Sequence, residues 1–127
     1  MSEHMDNFAT EIPDEILEIL YSLGREFSFD PLSSVESENY FIKLLNEYDG
    51  IDLKEWLRNT VLKRFLFIEN KPEWIQGPEW QFSNGKPMIF VGQINLPPQK
   101  TKLHDESMFY VFWDRDTGET KTIIQIA

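Results

Sequence analysis

The sequence predicts an α+β fold, with N-terminal helices packed on one face of a four- to five-stranded antiparallel sheet. Residues 1–64 carry apolar side chains at helical spacing, whereas residues 65–127 are rich in turn residues and strand formers. The chain has 127 residues, 41% of them hydrophobic, without a composition break. One domain is therefore expected, with a helical half at about 1–64 and a sheet half at about 65–127.

The first helix is expected over about residues 13–23. Apolar residues recur at positions 12, 16, 19, 20 and 23, Pro13 suits a first turn, and Gly24 suits a C-terminal cap. Four carboxylates at helical spacing form a stripe on the other face: Glu11, Asp14, Glu15 and Glu18. Like charges at this spacing repel by about 0.2–0.5 kcal/mol per pair, so the stripe is a mild liability when nothing binds it.

Two further helices follow. A capping box over Ser33–Glu36 begins the second, which Gly50 ends. Asp52, with Glu55 three residues later, begins the third. The β-branched and aromatic residues that follow favour a strand from about Phe65.

The remainder of the chain predicts two hairpins. Asn84-Gly85 separates strands over about 79–83 and 87–94, and a longer turn separates strands over about 108–113 and 120–126. Apolar side chains alternate onto both faces of these strands, so both faces need cover. Three short helices seldom cover both, which leaves two alternatives for the second face: loops such as 71–77, which is the favoured one, or a partner.

The charge is distributed unevenly along the chain. Residues 1–50 contain twelve Asp or Glu against two Lys or Arg, whereas residues 51–127 contain ten of each, so the first part carries the whole net charge of −10. Direct binding of nucleic acid or of an anionic membrane through that part is unfavourable, because phosphate contacts need clustered cations. A basic partner would be attracted.

Several kinds of chemistry are excluded or disfavoured. Without Cys there is no disulfide, no thiolate nucleophile and no cysteine-ligated zinc. The two histidines, His4 and His104, lie far apart in the sequence, and the calcium-like start at Asp114–Gly118 lacks its later acidic ligands. There is neither a Gly-x-Ser-x-Gly elbow nor a glycine-rich phosphate loop. We therefore expect no enzyme, catalytic residue, metal or cofactor. No apolar run spans a bilayer and no secretory signal is evident, so a soluble cytoplasmic protein without membrane contact is expected.

Two segments resemble a known family. Trp74–Trp80, followed by Gly85-Lys86-Pro87 and the run Met88–Leu96, is similar to the YwqG-like family of bacterial proteins, and Phe109–Asp114 resembles the aromatic strand that follows in that family. The resemblance covers about residues 72–114. Because the family has no established activity, the resemblance implies a β-rich half and little about function. Physically, Trp80 by burial and Gln93 by hydrogen bonds to backbone would pin this strand to its neighbours.

The first function that we expect is non-enzymatic protein binding, in the form of a bacterial immunity protein that occludes the active site of a basic toxin. Charge would steer the partner, and a few buried aromatic residues would supply most of the affinity. The expected steering residues are Glu11, Asp14, Glu15, Glu18, Glu36, Glu38, Glu47 and Asp49. One alternative is a small-ligand module with a site between Trp74, Trp80 and Trp113. Another is an inhibitor that mimics nucleic-acid charge, and a homo-oligomer is compatible with each of these.

Overall fold

The computed structural model describes residues 10–97 and 105–127, in which three helices precede five strands. The mixed α+β class is as predicted. The helices are α1 (Asp14–Phe27), α2 (Val35–Asn46) and α3 (Leu53–Arg64). The strands are β1 (Phe82–Ser83), β2 (Lys86–Pro87), β3 (Ile89–Leu96), β4 (Ser107–Trp113) and β5 (Thr120–Ile126).

Helix α1 continues one turn past Gly24, so the prediction that this glycine caps the helix is wrong. The left-handed residue at the helix end is Ser28, with φ at 71°. The backbone N–H groups of Ser28 and Phe29 both donate to the Gly24 carbonyl, at 2.7 and 3.0 Å. A Cβ on Gly24 would lie 2.2 Å from the Phe29 carbonyl oxygen, so the position needs glycine for close backbone approach.

The other helix boundaries follow local capping. The Ser34 hydroxyl accepts a hydrogen bond from the Ser37 N–H at 3.0 Å, one residue later than the predicted Ser33–Glu36 box. Asp52 caps α3 by accepting from the Glu55 N–H at 3.1 Å, as predicted. No regular strand begins at Phe65, whose ring is buried among aromatic side chains; the segment makes an isolated parallel bridge, Phe67 to Phe90.

The five strands form two antiparallel sheets, and the single four- to five-stranded sheet is not confirmed. Strands β1 and β2 make a two-stranded hairpin, while β3, β4 and β5 make a three-stranded sheet in that order. The turn at Asn84 and Gly85 has φ values of 53° and 74°, the left-handed conformation that an Asn-Gly hairpin requires. One backbone bond follows beyond Pro87, from the Met88 N–H to the Gln81 carbonyl at 2.9 Å, and the Met88 carbonyl accepts from the Trp80 indole at 2.8 Å.

A continuous set of aromatic rings joins the helices to the three-stranded sheet. Ring centroids lie 5.6 Å apart for Tyr40 and Phe82, 5.2 Å for Phe65 and Trp80, and 5.6 Å for Trp80 and Phe112. We call the sheet face that carries Phe112 the inner face; Phe90 and Tyr110 are buried on it as well. The opposite face is the outer face.

The loop over residues 71–77 covers the inner face and not the second one. The Trp74 ring stacks on Tyr110 at 4.6 Å, and the Trp74 indole N–H donates to the Ser28 carbonyl at 2.9 Å, at the end of α1. The favoured expectation that this loop would shield the second face is therefore wrong.

Candidate functional site

The carboxylates of the α1 stripe are all exposed. The stripe is defined by Glu11, Asp14, Glu15 and Glu18. Its three helical members face away from the side of α1 that buries Leu20, Leu23 and Phe27, and Glu11 lies in the bend just before the N-cap, outside the helix that the spacing predicted for it. Within residues 10–97 and 105–127, the ion pairs are Glu26 with Arg58 and Lys86 with Asp116. Within that part of the chain, none of the four stripe carboxylates has a Lys or Arg nitrogen within 4.0 Å.

The other four predicted steering residues lie at two separate ends of α2. Glu36 and Glu38 occupy the first turn of α2, where the helix dipole favours negative charge. Glu47 and Asp49 follow its last turn, about 15–20 Å away at the helical rise. Glu38 is half-buried and the other three are exposed. The eight carboxylates therefore do not form one surface, and the α1 stripe is their one compact group.

The three predicted tryptophans do not share a site. Trp80 is buried, and its indole N–H donates to the Met88 carbonyl at 2.8 Å. Trp74 is half-buried on the inner face, where it stacks on Tyr110. Trp113 is 36% exposed on the outer face. Trp74 and Trp80 thus hold the core together, and the alternative of a pocket enclosed by all three rings does not fit the geometry.

The outer face of the three-stranded sheet is largely apolar and, apart from the buried Ser107, half-buried or exposed. Residues directly opposite one another in an antiparallel sheet share a face, so the register gives four cross-strand rows. These rows are Leu96–Ser107–Ile126, Ile94–Phe109–Ile124, Gly92–Val111–Thr122 and Ile89–Trp113–Thr120. No member is charged, and Ile94 and Ile124 are 58% and 45% exposed. Since the helices and residues 71–77 lie against the inner face, this face and the α1 stripe lie on different sides of the molecule.

A buried polar network fixes the loop over residues 71–79. Its central residue is Gln125, which no sequence pattern marked as a candidate. The Gln125 side chain accepts from the Ile75 and Gln76 N–H groups at 3.0 and 2.9 Å and donates to the Gly77 carbonyl at 2.7 Å. The one sequence signal was a lone amide in an apolar strand. As expected, Gln93 bonds backbone: it accepts from the Glu73 N–H at 2.8 Å and donates to the Glu73 carbonyl at 3.2 Å.

Ionisable side chains with shifted pKa values do not cluster in one place in the described part of the chain. Hydrogen bonding and the charge of Arg58 lower the pKa of Glu26, an exposed carboxyl. Burial raises the pKa of Tyr110, and the charge of Glu79 adds to that rise. Among the described residues no group of three or more potential metal ligands comes together, and His4 and His104 lie outside them. In the Asp114–Gly118 turn, the Asp114 carboxylate accepts from the Asp116 N–H at 2.9 Å, which is a local turn contact.

Comparisons with known protein families, curated proteins and solved structures find no match. The resemblance of residues 72–114 to the YwqG-like family therefore stays a prediction. Within the described part of the chain, no helix is long and apolar enough to cross a membrane.

Proposed function

We propose that the chain is a non-enzymatic protein-binding module whose α1 stripe recognises a basic surface on a partner protein. The observation that carries this proposal is the stripe itself: three exposed carboxylates on one face of α1 and a fourth, Glu11, in the bend before its N-cap, with no described cation within 4.0 Å of any of them. Neighbouring carboxylates repel one another in the free protein. A basic partner replaces that repulsion with attraction, so binding gains from the same residues that burden the free helix.

The specific partner that we propose is a toxin domain with a basic active site, which the chain would occlude as a bacterial immunity protein. An enzyme that acts on nucleic acid needs clustered cations to hold phosphates. An acidic protein of this small size fits over such a cleft and competes with the substrate for the cations. The net charge of −10 would also raise the association rate, by roughly 10- to 1,000-fold for strongly steered pairs at low ionic strength.

The geometry favours this reading over nucleic-acid mimicry. On α1 itself the stripe extends about 6 Å, from Asp14 to Glu18, whereas a mimic needs a long row of charges spaced like phosphates. The outer face supports protein binding independently, because apolar surface without charge is typical of interface centres. It would supply affinity for a partner large enough to extend beyond α1, or for a second copy of the chain.

The experiment measures association between this chain and a purified toxin domain with a basic active site. Stopped-flow rates would be recorded at several salt concentrations for the wild type and for a variant that neutralises the stripe, with Glu→Gln at 11, 15 and 18 and Asp14→Asn. The variant should associate at least 10-fold more slowly at low salt, and its rate should depend less steeply on salt.

A matched control loses the same four charges elsewhere: Glu→Gln at positions 55, 69 and 73, and Asp105→Asn. These side chains are exposed and make no side-chain hydrogen bond to the rest of the described chain. The control should keep most of the wild-type rate. Equal slowing in both variants would show that total charge and not the stripe steers the partner, and unchanged rates in both would reject the mechanism.

A further inference from the structure

Cationic side chains gather at one end of this acidic molecule, where α2, α3, the β1–β2 hairpin and the β4–β5 turn meet. Two adjoining cavities lie there, of about 160 and 170 Å³. Five of the ten Lys and Arg side chains in the described part of the chain line them: Lys43, Lys63, Arg64, Lys86 and Arg115. Arg64 and Lys86 line both cavities, so the two form one continuous depression.

Helix geometry accounts for only part of this gathering. Lys43 lies in the last turn of α2, and Lys63 and Arg64 lie in the last turn of α3, where the helix dipole favours cations. Lys86 and Arg115 belong to a hairpin strand and to a turn, and no helix end favours them there. The smaller cavity, which we call the basic cavity, is lined by Lys43, Arg64 and Lys86 against the single carboxylate of Glu47.

A buried hydroxyl group at the basic cavity lacks a partner. Tyr40 lines this cavity and is only 6% exposed, and its hydroxyl group has no hydrogen-bond partner within the described structure. Leaving such a group unsatisfied is costly, so it calls for an acceptor. Burial raises the pKa of Tyr40; the charge of Arg64 and its approach to the phenol as a hydrogen-bond donor partly counter that rise, and the charge of Glu47 adds to it. Tyr40, Arg64 and Glu47 all line this cavity, and the phenol proton has no acceptor in the described structure.

We propose that the basic cavity binds the phosphoryl group of a small phosphorylated molecule. Arg64 offers the planar fork of N–H donors that suits phosphate oxygens, and Tyr40 donates a hydrogen bond. Lys43 supplies further positive charge, as does Lys86, which also pairs with the exposed carboxylate of Asp116 at 3.3 Å. A volume of about 160 Å³ equals roughly five waters, which admits a tetrahedral oxyanion with a few more atoms. A longer substituent would extend past Arg64 and Lys86 into the adjoining cavity. This site is independent of the α1 stripe.

The test is a titration of the full chain with inorganic phosphate, and separately with glycerol phosphate, at constant ionic strength. Amide shifts in two-dimensional NMR spectra should saturate, and they should be largest at Tyr40, Arg64 and Gly85. Tighter binding of glycerol phosphate would identify a phosphorylated metabolite as the ligand, whereas equal binding would identify the free oxyanion. Shifts that grow linearly without saturation, or that spread over the surface cations, would overturn the proposal.

Two variants and one control separate a site from general charge. K43Q/K86Q should weaken phosphate binding at least tenfold, whereas R25Q/K54Q, which removes the same charge outside both cavities, should change it less than twofold. Y40F should melt no lower than the wild type without phosphate, because it removes an unpartnered group, but it should gain a smaller melting shift from phosphate. If R25Q/K54Q weakened binding as much as K43Q/K86Q, or if Y40F bound as tightly as the wild type, the assignment would be wrong.

Discussion

Replacing Gln125 by methionine tests how the loop over residues 71–79 is held on the inner face. Methionine keeps the length of the side chain and fills its volume, so packing changes little. The substitution removes five hydrogen bonds: the Gln125 side chain accepts from the N–H groups of Ile75 and Gln76 and from the Tyr110 hydroxyl, and it donates to the oxygens of Gly77 and Glu79. Because Gln125 is only 2% exposed, water does not replace them freely.

The expected cost follows from which groups lose every partner. The Ile75 N–H still donates to the Tyr110 hydroxyl oxygen at 2.9 Å. The Glu79 carboxylate is exposed, so it accepts hydrogen bonds from water instead. The Gln76 N–H and the Gly77 carbonyl are left unpaired, at about 1–3 kcal/mol each. We expect the free energy of unfolding to fall by about 2–4 kcal/mol. For 127 residues this corresponds to a melting temperature lowered by about 8–15 °C.

The assay is urea unfolding combined with native-state hydrogen exchange. The amides of Ile75 and Gln76 should lose protection in Gln125→Met before the β4 amides do, because the loop opens first. The control is Gln81→Met, whose side chain donates only to the Glu79 carbonyl two residues away. A Gln125→Met protein within 0.5 kcal/mol of the control would refute the argument that this amide network holds the loop.

Two further predictions concern the close approach at Gly24 and the buried phenols. Gly24→Ala should lower the free energy of unfolding by about 2–4 kcal/mol, because its Cβ would meet the Phe29 carbonyl oxygen at 2.2 Å. The control Gly77→Ala, whose Cβ would have nothing within 4 Å, should lower it by less than about 1 kcal/mol. Chemical denaturation measures both, and equal costs would contradict the close approach at Gly24. Burial raises the pKa of Tyr40 and of Tyr110 above 10.0, so the folded chain holds protons that the unfolded chain releases. Stability should therefore be full below about pH 10 and decline as the pH rises through the folded pKa values, and Tyr40→Phe should decline less. Unfolding curves at pH 8 and 10.5 measure this, and identical declines would exclude Tyr40 as a contributor.

Local signals predicted the helices and the hairpins because each depends on residues close in sequence. The Asp52 cap needs only Glu55, and the Asn84-Gly85 turn needs only its own positive φ values. The end of α1 depends instead on the close approach of the Phe29 backbone to Gly24. The apolar periodicity of α1 does not indicate this contact. Likewise, the division into two sheets follows from the pairing of β3 with β4 and not with β1, which the apolar pattern alone does not indicate.

The candidate sites were predictable to different degrees. Three carboxylates of the α1 stripe lie on a single helix, so their spacing alone placed them together; Glu11 lies just before that helix. The basic cavity draws on α2, α3, a hairpin and a turn, and no sequence pattern brings Lys43 close to Lys86. The prediction of a site shared by the three tryptophans was wrong for a related reason. Alternation along β4 places Trp113 on one face, but only the path of residues 71–80 shows that Trp74 and Trp80 lie against the other.

The separation of charge also bears on how a partner would approach. A basic protein is attracted to the α1 stripe but repelled at the end of the molecule that carries Lys63, Arg64 and Arg115. Attraction and repulsion at different places restrict the productive orientation more than a uniform negative surface would, because an encounter at the wrong end is disfavoured. This selection acts over about 8 Å at physiological ionic strength. Salt should therefore slow productive encounters and also weaken the discrimination between orientations, whereas contacts on the uncharged outer face would persist.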